Sequence, residues 1–277
     1  MLTRSRSGGG PHLDERSRYL RRLAIRALEG ANRGHVGSTM SLIEIVRVLY
    51  DDILNHRPDD PAWDERDRCI LSKGHGCLAL YAVLADKRYF DIRELDRFCH
   101  VQGKLGGHPE AGKVPGVEAS TGALGHGMPI AVGRAIGLRI HGNAARTFVI
   151  VGDGEINEGS VWEACLSARK HKLSSLTLLI DYNKIQSAGA TAEILNLEPL
   201  GEKFRSFGFS VAEVDGHDIE ALRAVLRRLP FSNDGPSAVV CHTVKGKGIP
   251  FAENDARWHH VSKFSEKTLA DLKAAVA

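Results

Sequence analysis

Two polar side chains stand directly after apolar runs that are typical of buried strands. Asp153 follows the run at 147–151, and Asn183 follows the run at 176–181. In a parallel sheet, neighbouring strands end at the same edge, and ligands bind beyond that edge. The Asp153 carboxylate, the Asn183 amide oxygen and the backbone carbonyl of Ile185 would form a hard oxygen site. Such a site favours Mg²⁺ or Ca²⁺, with diphosphate oxygens completing the shell.

The backbone around Asp153 suits a phosphate ligand. Gly152 and Gly154 flank the aspartate, and residues without a side chain allow a phosphate to approach the main chain closely. A helix is predicted just downstream, and its N-terminus favours negative charge. The segment is therefore predicted to bind an anionic ligand together with its cation.

Five histidines occupy breaks between the predicted core elements: His35, His75, His108, His126 and His259. The first four lie beside glycine, and the last follows Trp258. Several imidazoles in glycine-rich loops indicate a pocket that binds anions and moves protons near neutral pH. No pair has the spacing usual for zinc ligands. We therefore predict acid–base chemistry at these histidines.

The elements that would position these residues alternate between buried strands and amphipathic helices. Strands are predicted at 69–72, 147–151, 176–181, 209–214 and 238–243. Helices are predicted at 20–31, 78–86, 124–141, 160–170 and 265–275, with one more opened by Ser41 and Glu44 as a capping box and another capped by Asp218. This alternation predicts an α/β fold in which a parallel sheet is covered by helices on both faces.

The overall composition excludes several classes of protein. The 277 residues are 43% hydrophobic and 26% charged, and no apolar run is long enough to span a bilayer. The net charge of +3 comes from an arginine-rich leading segment, so nucleic-acid binding is not expected. Five widely spaced cysteines without a CxxC pair fit reduced thiols and a cytoplasmic location. We expect a disordered tail at 1–11 and a single domain at 12–277.

Several segments together resemble one enzyme family. The stretch 152–159, GDGEINEG, followed by Asn183, resembles the thiamine diphosphate motif. The segments at 34–38 (GHVGS), 72–76 (SKGHG), 106–110 (GGHPE), 115–118 (PGVE) and 121–127 (TGALGHG) resemble those of transketolases. They lie in matching order, so the resemblance covers roughly residues 12–265 and implies the thiamine-diphosphate-binding fold.

The resemblance implies a role for each matching residue. Asp153, Asn183 and the Ile185 carbonyl would hold Mg²⁺ against the cofactor diphosphate. The residues that would contact the cofactor are His75, Gly122, Ala123, Leu124, Gly152, Gly154 and His259. His35 and His259 would flank the reacting carbon and the 4′-amino group, and His108 would hydrogen-bond hydroxyls of the donor. Glu158 matches a glutamate that links two active sites at the subunit interface, and we group it with the cofactor-binding residues.

The sequence departs from the family pattern at two positions. His126 stands where full-length transketolases commonly carry glutamine, and this change resembles members whose gene is split. Tyr182 replaces the first of two asparagines often found at the second motif, while the liganding Asn183 is retained. Metal binding is therefore still expected.

The resemblance also implies a partner. Transketolases carry a diphosphate-binding, a pyrimidine-binding and a C-terminal domain, and this sequence matches only the first. The expected activity is transfer of a two-carbon ketol unit from a sugar donor to an aldehyde. It would require a second chain with the other two domains, most simply as an α₂β₂ heterotetramer.

Two further interpretations share some of these motifs. One is the α subunit of a 2-oxoacid dehydrogenase or decarboxylase, or a deoxyxylulose-phosphate-synthase-like enzyme. The other is a non-catalytic subunit that binds the cofactor and regulates a partner. Separately, Lys245 to Gly248 fit either a lid near the diphosphate or a flexible surface turn.

Overall fold

A five-stranded sheet organises the molecule, in a computed structural model that describes residues 13–277. The tail predicted at 1–11 lies outside the described residues. The strands are β1 Arg68–Leu71, β2 Thr147–Gly152, β3 Leu176–Tyr182, β4 Ser210–Asp215 and β5 Ser237–His242. All neighbours pair in parallel, in the spatial order β1-β2-β3-β5-β4. The predicted fold class is confirmed.

Helices cover both faces of this sheet: α1 Glu15–Ala31, α2 Gly37–Met40, α3 Ile43–Val48, α4 Cys77–Asp86, α5 Gly127–Ile140, α6 Gly159–Lys170, α7 Thr191–Ile194, α8 Leu200–Ser206, α9 Ile219–Leu226 and α10 Glu266–Ala275. Successive strand residues point to opposite faces. Phe148 and Ile150 pack with α1, α3 and α4 in one core, and Val149 and Val151 pack with α5 and α6 in the other. The strands are therefore apolar on both sides, as a buried parallel sheet requires.

The predicted capping box at Ser41 is wrong. Helix α3 begins at Ile43 without a side-chain cap. The Ser41 hydroxyl instead donates to the Asp181 carboxylate at 2.6 Å. A buried carboxylate needs donors more than a helix end does, since the helix end can bond to its own backbone.

Helix α5 begins three residues later than the predicted Leu124. Gly125 has a φ of +80°, which interrupts a right-handed helix. Its N–H donates to Glu155 Oε1 at 2.9 Å, and its carbonyl accepts from the Ser160 hydroxyl at 2.9 Å. The segment before α5 is thus held as a loop by the residues that follow β2.

A buried ionic network fastens the first helices to the segment after β4. Arg21 donates to both oxygens of Glu44, at 2.6 and 3.0 Å, and His217 Nδ1 lies 2.8 Å from Glu44 Oε2. The Val244 amide donates to His217 Nε2 at 2.8 Å. Burial acts to raise the pKa of Glu44, but Arg21 and His217 outweigh it and lower this pKa to about 2.

This network yields the first testable prediction. We expect Glu44→Gln to lower the free energy of unfolding by about 3–5 kcal/mol, because it leaves Arg21 buried without its counter-charge. The control is Glu213→Gln, which breaks a surface pair with His242 and should cost no more than about 1 kcal/mol. Urea unfolding monitored by circular dichroism measures both. Equal losses in the two variants would contradict the structural role of the buried network.

Candidate active site

The ends of β2 and β3 meet at one edge of the sheet, as the sequence predicts. The end of β2 pairs with Asp181 of β3. Asp153 Oδ2 accepts a hydrogen bond from the Lys184 amide at 2.5 Å, and the Asn183 side-chain oxygen accepts from the Ile185 amide at 3.1 Å. The first bond joins the two loops, and the second orients the Asn183 side chain within its own loop. Asp153, Asn183 and Ile185 line the same cleft.

Asp153 is buried, with 2% of its surface exposed. Burial raises the pKa of its carboxyl to about 6, and the nearby charge of Asp181 adds to the rise. The Ile185 carbonyl accepts a hydrogen bond from Lys245 Nζ at 2.9 Å, so this oxygen already faces a cationic group. The raised pKa shows that burial disfavours the ionised carboxylate. A cation bound beside Asp153 and the neighbouring oxygens would stabilise this ionised form.

A buried ion pair lies beneath these oxygens. Lys73 Nζ donates to Asp181 Oδ2 at 2.6 Å, and both side chains are almost fully buried. The hydroxyls of Ser41 and Thr243 also donate to Asp181. Burial alone would raise the pKa of Asp181, but Lys73 and the hydroxyls lower it overall. The end of β1 is therefore tied to the end of β3 by charge as well as by the intervening strand.

Four of the five predicted histidines come together with a sixth, His260. The His35 ring lies at the centre, with its centroid 5.6 Å from His75, 6.0 Å from His108, 5.5 Å from His259 and 4.6 Å from His260. His126 is exposed at the N-terminus of α5 and bonds to the Leu124 carbonyl. The prediction that loop histidines share one pocket is thus wrong for His126.

Burial holds the pKa of His35, His75 and His259 below the usual range, which favours their neutral forms at pH 7. Burial lowers the pKa of His35 to about 3, and the neighbouring charges of His260, His259 and His108 lower it further. Burial and Lys245 lower the pKa of His259 to about 4, and burial lowers the pKa of His75. A neutral imidazole carries one N–H donor and one acceptor, so each ring can exchange a proton with a bound ligand.

Lys245 joins the histidines to the oxygen site. Its ammonium lies 3.0 Å from His259 Nδ1 as well as 2.9 Å from the Ile185 carbonyl. Burial lowers the pKa of Lys245 to about 8, with a further contribution from Lys73. The lysine is 1% exposed, so the interpretation of Lys245 as part of a flexible surface turn is wrong.

Together these groups line a cleft of about 250 Å³ at the carboxyl edge of the sheet. Eleven predicted site residues line it: His35, His75, His108, Gly122, Leu124, Gly152, Asp153, Gly154, Asn183, Ile185 and His259. Gly122 has a φ of +146°, and a side chain there would meet the His108 ring at 3.1 Å. The glycine is therefore required where the loop passes His108.

Two predicted residues do not face the cleft. Ala123 borders a separate depression that also contains His126. Glu158 is exposed, with its Cβ positioned against Gly125. Both lie on the outer side of the loop that precedes α5.

Six further residues that line the cleft are not among the predicted site residues: Ser38, Lys73, Glu155, Gln186, Ser187 and Lys245. Lys73 and Lys245 follow the ends of β1 and β5, so a basic residue after a strand end was the available signal. Glu155 is buried and accepts from the amides of Gly125 and Gly152. Nothing in the local sequence around Glu155, which lies between Gly154 and Ile156, indicates these hydrogen bonds.

Comparisons with known proteins agree with this geometry. The family model described as "Transketolase, thiamine diphosphate binding domain" matches residues 14–276. The chain is 42% identical to one of the subunits of apulose-4-phosphate transketolase from Actinobacillus succinogenes, over 93% of this chain and 94% of that protein. It is 37% identical to the 6-deoxy-6-sulfo-D-fructose transketolase subunit SqwG of a Clostridium species, over 96% and 95%.

Solved structures give the same relationship. The crystal structure of transketolase from Campylobacter jejuni superposes with a TM-score of 0.87 at 31% identity, covering 95% of this chain. The chain spans only 42% of that transketolase. Its likeness therefore lies with one part of the larger enzyme.

The histidine cluster predicts a specific pH dependence of stability. An unfolded histidine has a pKa near 6.5, whereas His35 in the folded chain has a pKa of about 3. Between these values the unfolded chain binds the extra proton, so the free energy of unfolding falls as the pH drops below about 6.5. Urea unfolding between about pH 7.5 and pH 5 should show this fall.

His35→Gln isolates the contribution of the imidazole. We expect a shallower loss of stability on acidification, because one group that resists protonation in the folded state is gone. His171→Gln changes a partly buried histidine that follows α6 away from the cleft, and as the control it should keep the wild-type slope. A His35→Gln slope equal to that of the wild type would contradict a depressed pKa at His35.

Proposed function

The chain belongs to the transketolase family, as a thiamine-diphosphate-binding N-terminal subunit, and from this we propose that it acts in ketol transfer. With a partner chain, it would move a two-carbon unit from a ketose or ketose phosphate to an aldehyde acceptor. The observation that carries this proposal is the oxygen site of Asp153, Asn183 and Ile185 beside neutral imidazoles in one cleft. We propose that residues 12–277 act as a single domain.

The oxygen site fits Mg²⁺, or Ca²⁺ in its place. One carboxylate, one amide oxygen and one backbone carbonyl are hard donors, and diphosphate oxygens would complete the coordination. The pKa of Asp153, raised to about 6, means that its ionised form is disfavoured by burial. A divalent cation supplies the missing counter-charge, which supports a metal at this position.

The surrounding groups suit the cofactor's charge and shape. The Gly154 amide and His75 are proposed to contact the diphosphate, with the ammonium groups of Lys73 and Lys245 nearby. Gly122, Leu124 and Gly152 are proposed to border the ring systems, and Ala123 takes part through its backbone in the same loop. Exposed Glu158 is proposed to link this active site to a second one across a subunit contact.

Within this cleft, the histidines would handle protons. Thiamine diphosphate, when bound, supplies the electron sink for cleavage of the bond between C2 and C3 of the donor. His35 and His259 are neutral at pH 7, so either can accept a proton from a donor hydroxyl and return it. His108, at the exposed side of the cleft, is proposed to hydrogen-bond donor hydroxyls.

A partner chain is proposed to complete the site. The two relatives that the chain covers almost end to end are themselves named as subunits. We propose that the partner contributes the pyrimidine-binding and C-terminal domains in an α₂β₂ assembly. Leu124 is 37% exposed at the cleft, which supports a surface that a second chain covers.

The substrate is proposed to be a small sugar that carries an anionic group. The names of the two relatives refer to a phosphorylated sugar and to a sulfonated one. All five cysteines are free thiols, which supports a cytoplasmic location. Among residues 13–277, no helix is both long and apolar enough to cross a membrane.

The metal site gives a direct mutational test. We expect Asp153→Asn to abolish the rise in melting temperature that thiamine diphosphate and Mg²⁺ produce in the wild type. A ligand at a hundredfold over its Kd adds about 2.7 kcal/mol of stability, which a thermal-shift assay detects. The control is Asp215→Asn, since Asp215 ends β4 away from the cleft. An undiminished rise in Asp153→Asn would contradict the proposed ligand.

Reconstitution tests the activity itself. We expect no turnover from this chain alone, and turnover of hydroxypyruvate with an aldehyde acceptor when the partner is added. His259→Ala should then lower kcat by about 10²-fold or more, as loss of a proton-transferring group does.

The same assay separates the competing interpretations. Carbon dioxide release from pyruvate in preference to hydroxypyruvate would favour the 2-oxoacid dehydrogenase or synthase interpretation. Full activity in His259→Ala would favour a regulatory chain whose cofactor is not used in catalysis.

A further inference from the structure

We propose that His260 is a further substrate-contacting residue, placed to hydrogen-bond the donor sugar beyond the two-carbon unit that is transferred. This inference rests on the proposed function. His260 is not among the residues that line the enclosed part of the cleft. Its position follows from a short antiparallel contact that the sequence did not predict.

The backbone sets His260 directly opposite His35. Gly34 and Val261 form an isolated antiparallel bridge and exchange two hydrogen bonds of 2.9 Å each. In antiparallel pairing the residue after one partner faces the residue before the other, so His35 and His260 form the next cross-strand pair. Directly opposed side chains of this kind lie in contact. The ring centroids are 4.6 Å apart, the shortest of the four imidazole separations around His35.

A second contact fixes the same segment. The Phe264 amide donates to the Asn32 side chain at 3.1 Å and lies 3.3 Å from the Asn32 carbonyl. Phe264 is itself buried in the larger core. The chain that carries His260 is therefore anchored at the bridge and again three residues beyond it, so the imidazole is held in place without a helix or strand.

His260 faces the open side of the cleft. His260 and His108 are exposed, whereas His35 and His259 are partly buried. Burial is the largest cause of the lowered pKa values of His35 and His108, and the charge of His260 is the next cause in both. The His260 imidazole therefore lies close enough to His35 and His108 to affect the pKa of both rings.

The His260 ring is free to bind a ligand. Within residues 13–277, neither of its nitrogens has a hydrogen-bond partner in the protein, whereas His259 Nδ1 is engaged by Lys245. The reacting carbons are proposed to lie near His35 and His259, deeper in the cleft. The remaining carbons of a five- or six-carbon donor must then extend towards the opening, where His108 and His260 stand. A sugar hydroxyl or an anionic group there can pair with an imidazole.

The experiment compares a long and a short donor in the reconstituted complex. The long donor is xylulose 5-phosphate or fructose 6-phosphate, whichever the wild type turns over faster, and the short one is hydroxypyruvate. For His260→Phe we expect KM for the long donor to rise about tenfold, as loss of one hydrogen bond produces. We expect kcat to stay within about twofold, and KM for hydroxypyruvate to be unchanged within about twofold.

Two further variants separate hydrogen bonding from packing. His260→Gln keeps a donor and an acceptor on the side chain, and we expect it to restore the long-donor KM to within about threefold of the wild type. His171→Phe changes a partly buried histidine that follows α6 away from the cleft and should leave every constant unchanged. Melting temperatures of all variants verify that the fold is intact.

Three results would overturn the inference. These are an unchanged long-donor KM in His260→Phe, an equal rise for both donors, and a rise in the long-donor KM that His260→Gln shares fully. Failure of the proposed function looks different, because the wild-type complex itself would then turn over neither donor.

Discussion

The parallel pairing of β2 with β3 is the constraint on which the site depends. It places Asp153 and the Asn183 loop at one edge, where the Lys184 amide bonds to the Asp153 carboxylate. A shift of one residue in this pairing would turn every strand side chain to the opposite face. Both faces are filled by apolar cores, so the register is fixed by close packing of differently shaped side chains on the two sides. The chemistry at the edge is thus positioned by hydrophobic burial several residues away.

The second constraint is the balance of buried charges at the strand ends that the parallel pairing brings together. Lys73 and Asp181 satisfy each other beneath the oxygen site, which leaves Asp153 and Lys245 as the imperfectly compensated groups. The pKa of Asp153 is raised to about 6 and that of Lys245 is lowered to about 8. A divalent cation beside the Asp153 carboxylate would lower its pKa, and a diphosphate beside the Lys245 ammonium would raise its pKa. Each group would then be stabilised in its charged form. These charges suit the metal–diphosphate pair that we propose for the cleft.

The sequence predicts the parts of this arrangement that rest on regular periodicity. The strands carrying Asp153 and Asn183 are unbroken apolar runs, and their common edge follows from parallel topology alone. The capping box predicted at Ser41 is wrong because a serine hydroxyl suits either role. It can cap a helix, or it can donate to a buried carboxylate, as Ser41 does to Asp181. Ala123 lies outside the cleft because the loop before α5 turns at Gly125, and no periodicity in the sequence encodes the direction of that turn. Glu158 lies outside it at the exposed start of α6.

Other contacts depend on segments far apart in the chain. Lys245 reaches Ile185, and His260 reaches His35, through loops that only tertiary packing brings together. A lysine that precedes a glycine, as Lys245 does, has the same local sequence pattern in a surface turn as in a buried site. The sequence therefore predicts most of the residues that line the cleft. Their protonation states and their contacts with residues far away in the chain follow only from the folded structure.

We propose that one divalent ion, held by Asp153 and Asn183, fastens a diphosphate to this edge of the sheet. Calorimetric titration of thiamine diphosphate into the complex of this chain with its partner tests it most directly. We expect one cofactor bound per copy of this chain in Mg²⁺ and no binding after the metal is removed with EDTA. Equal binding with and without the metal would contradict the claim.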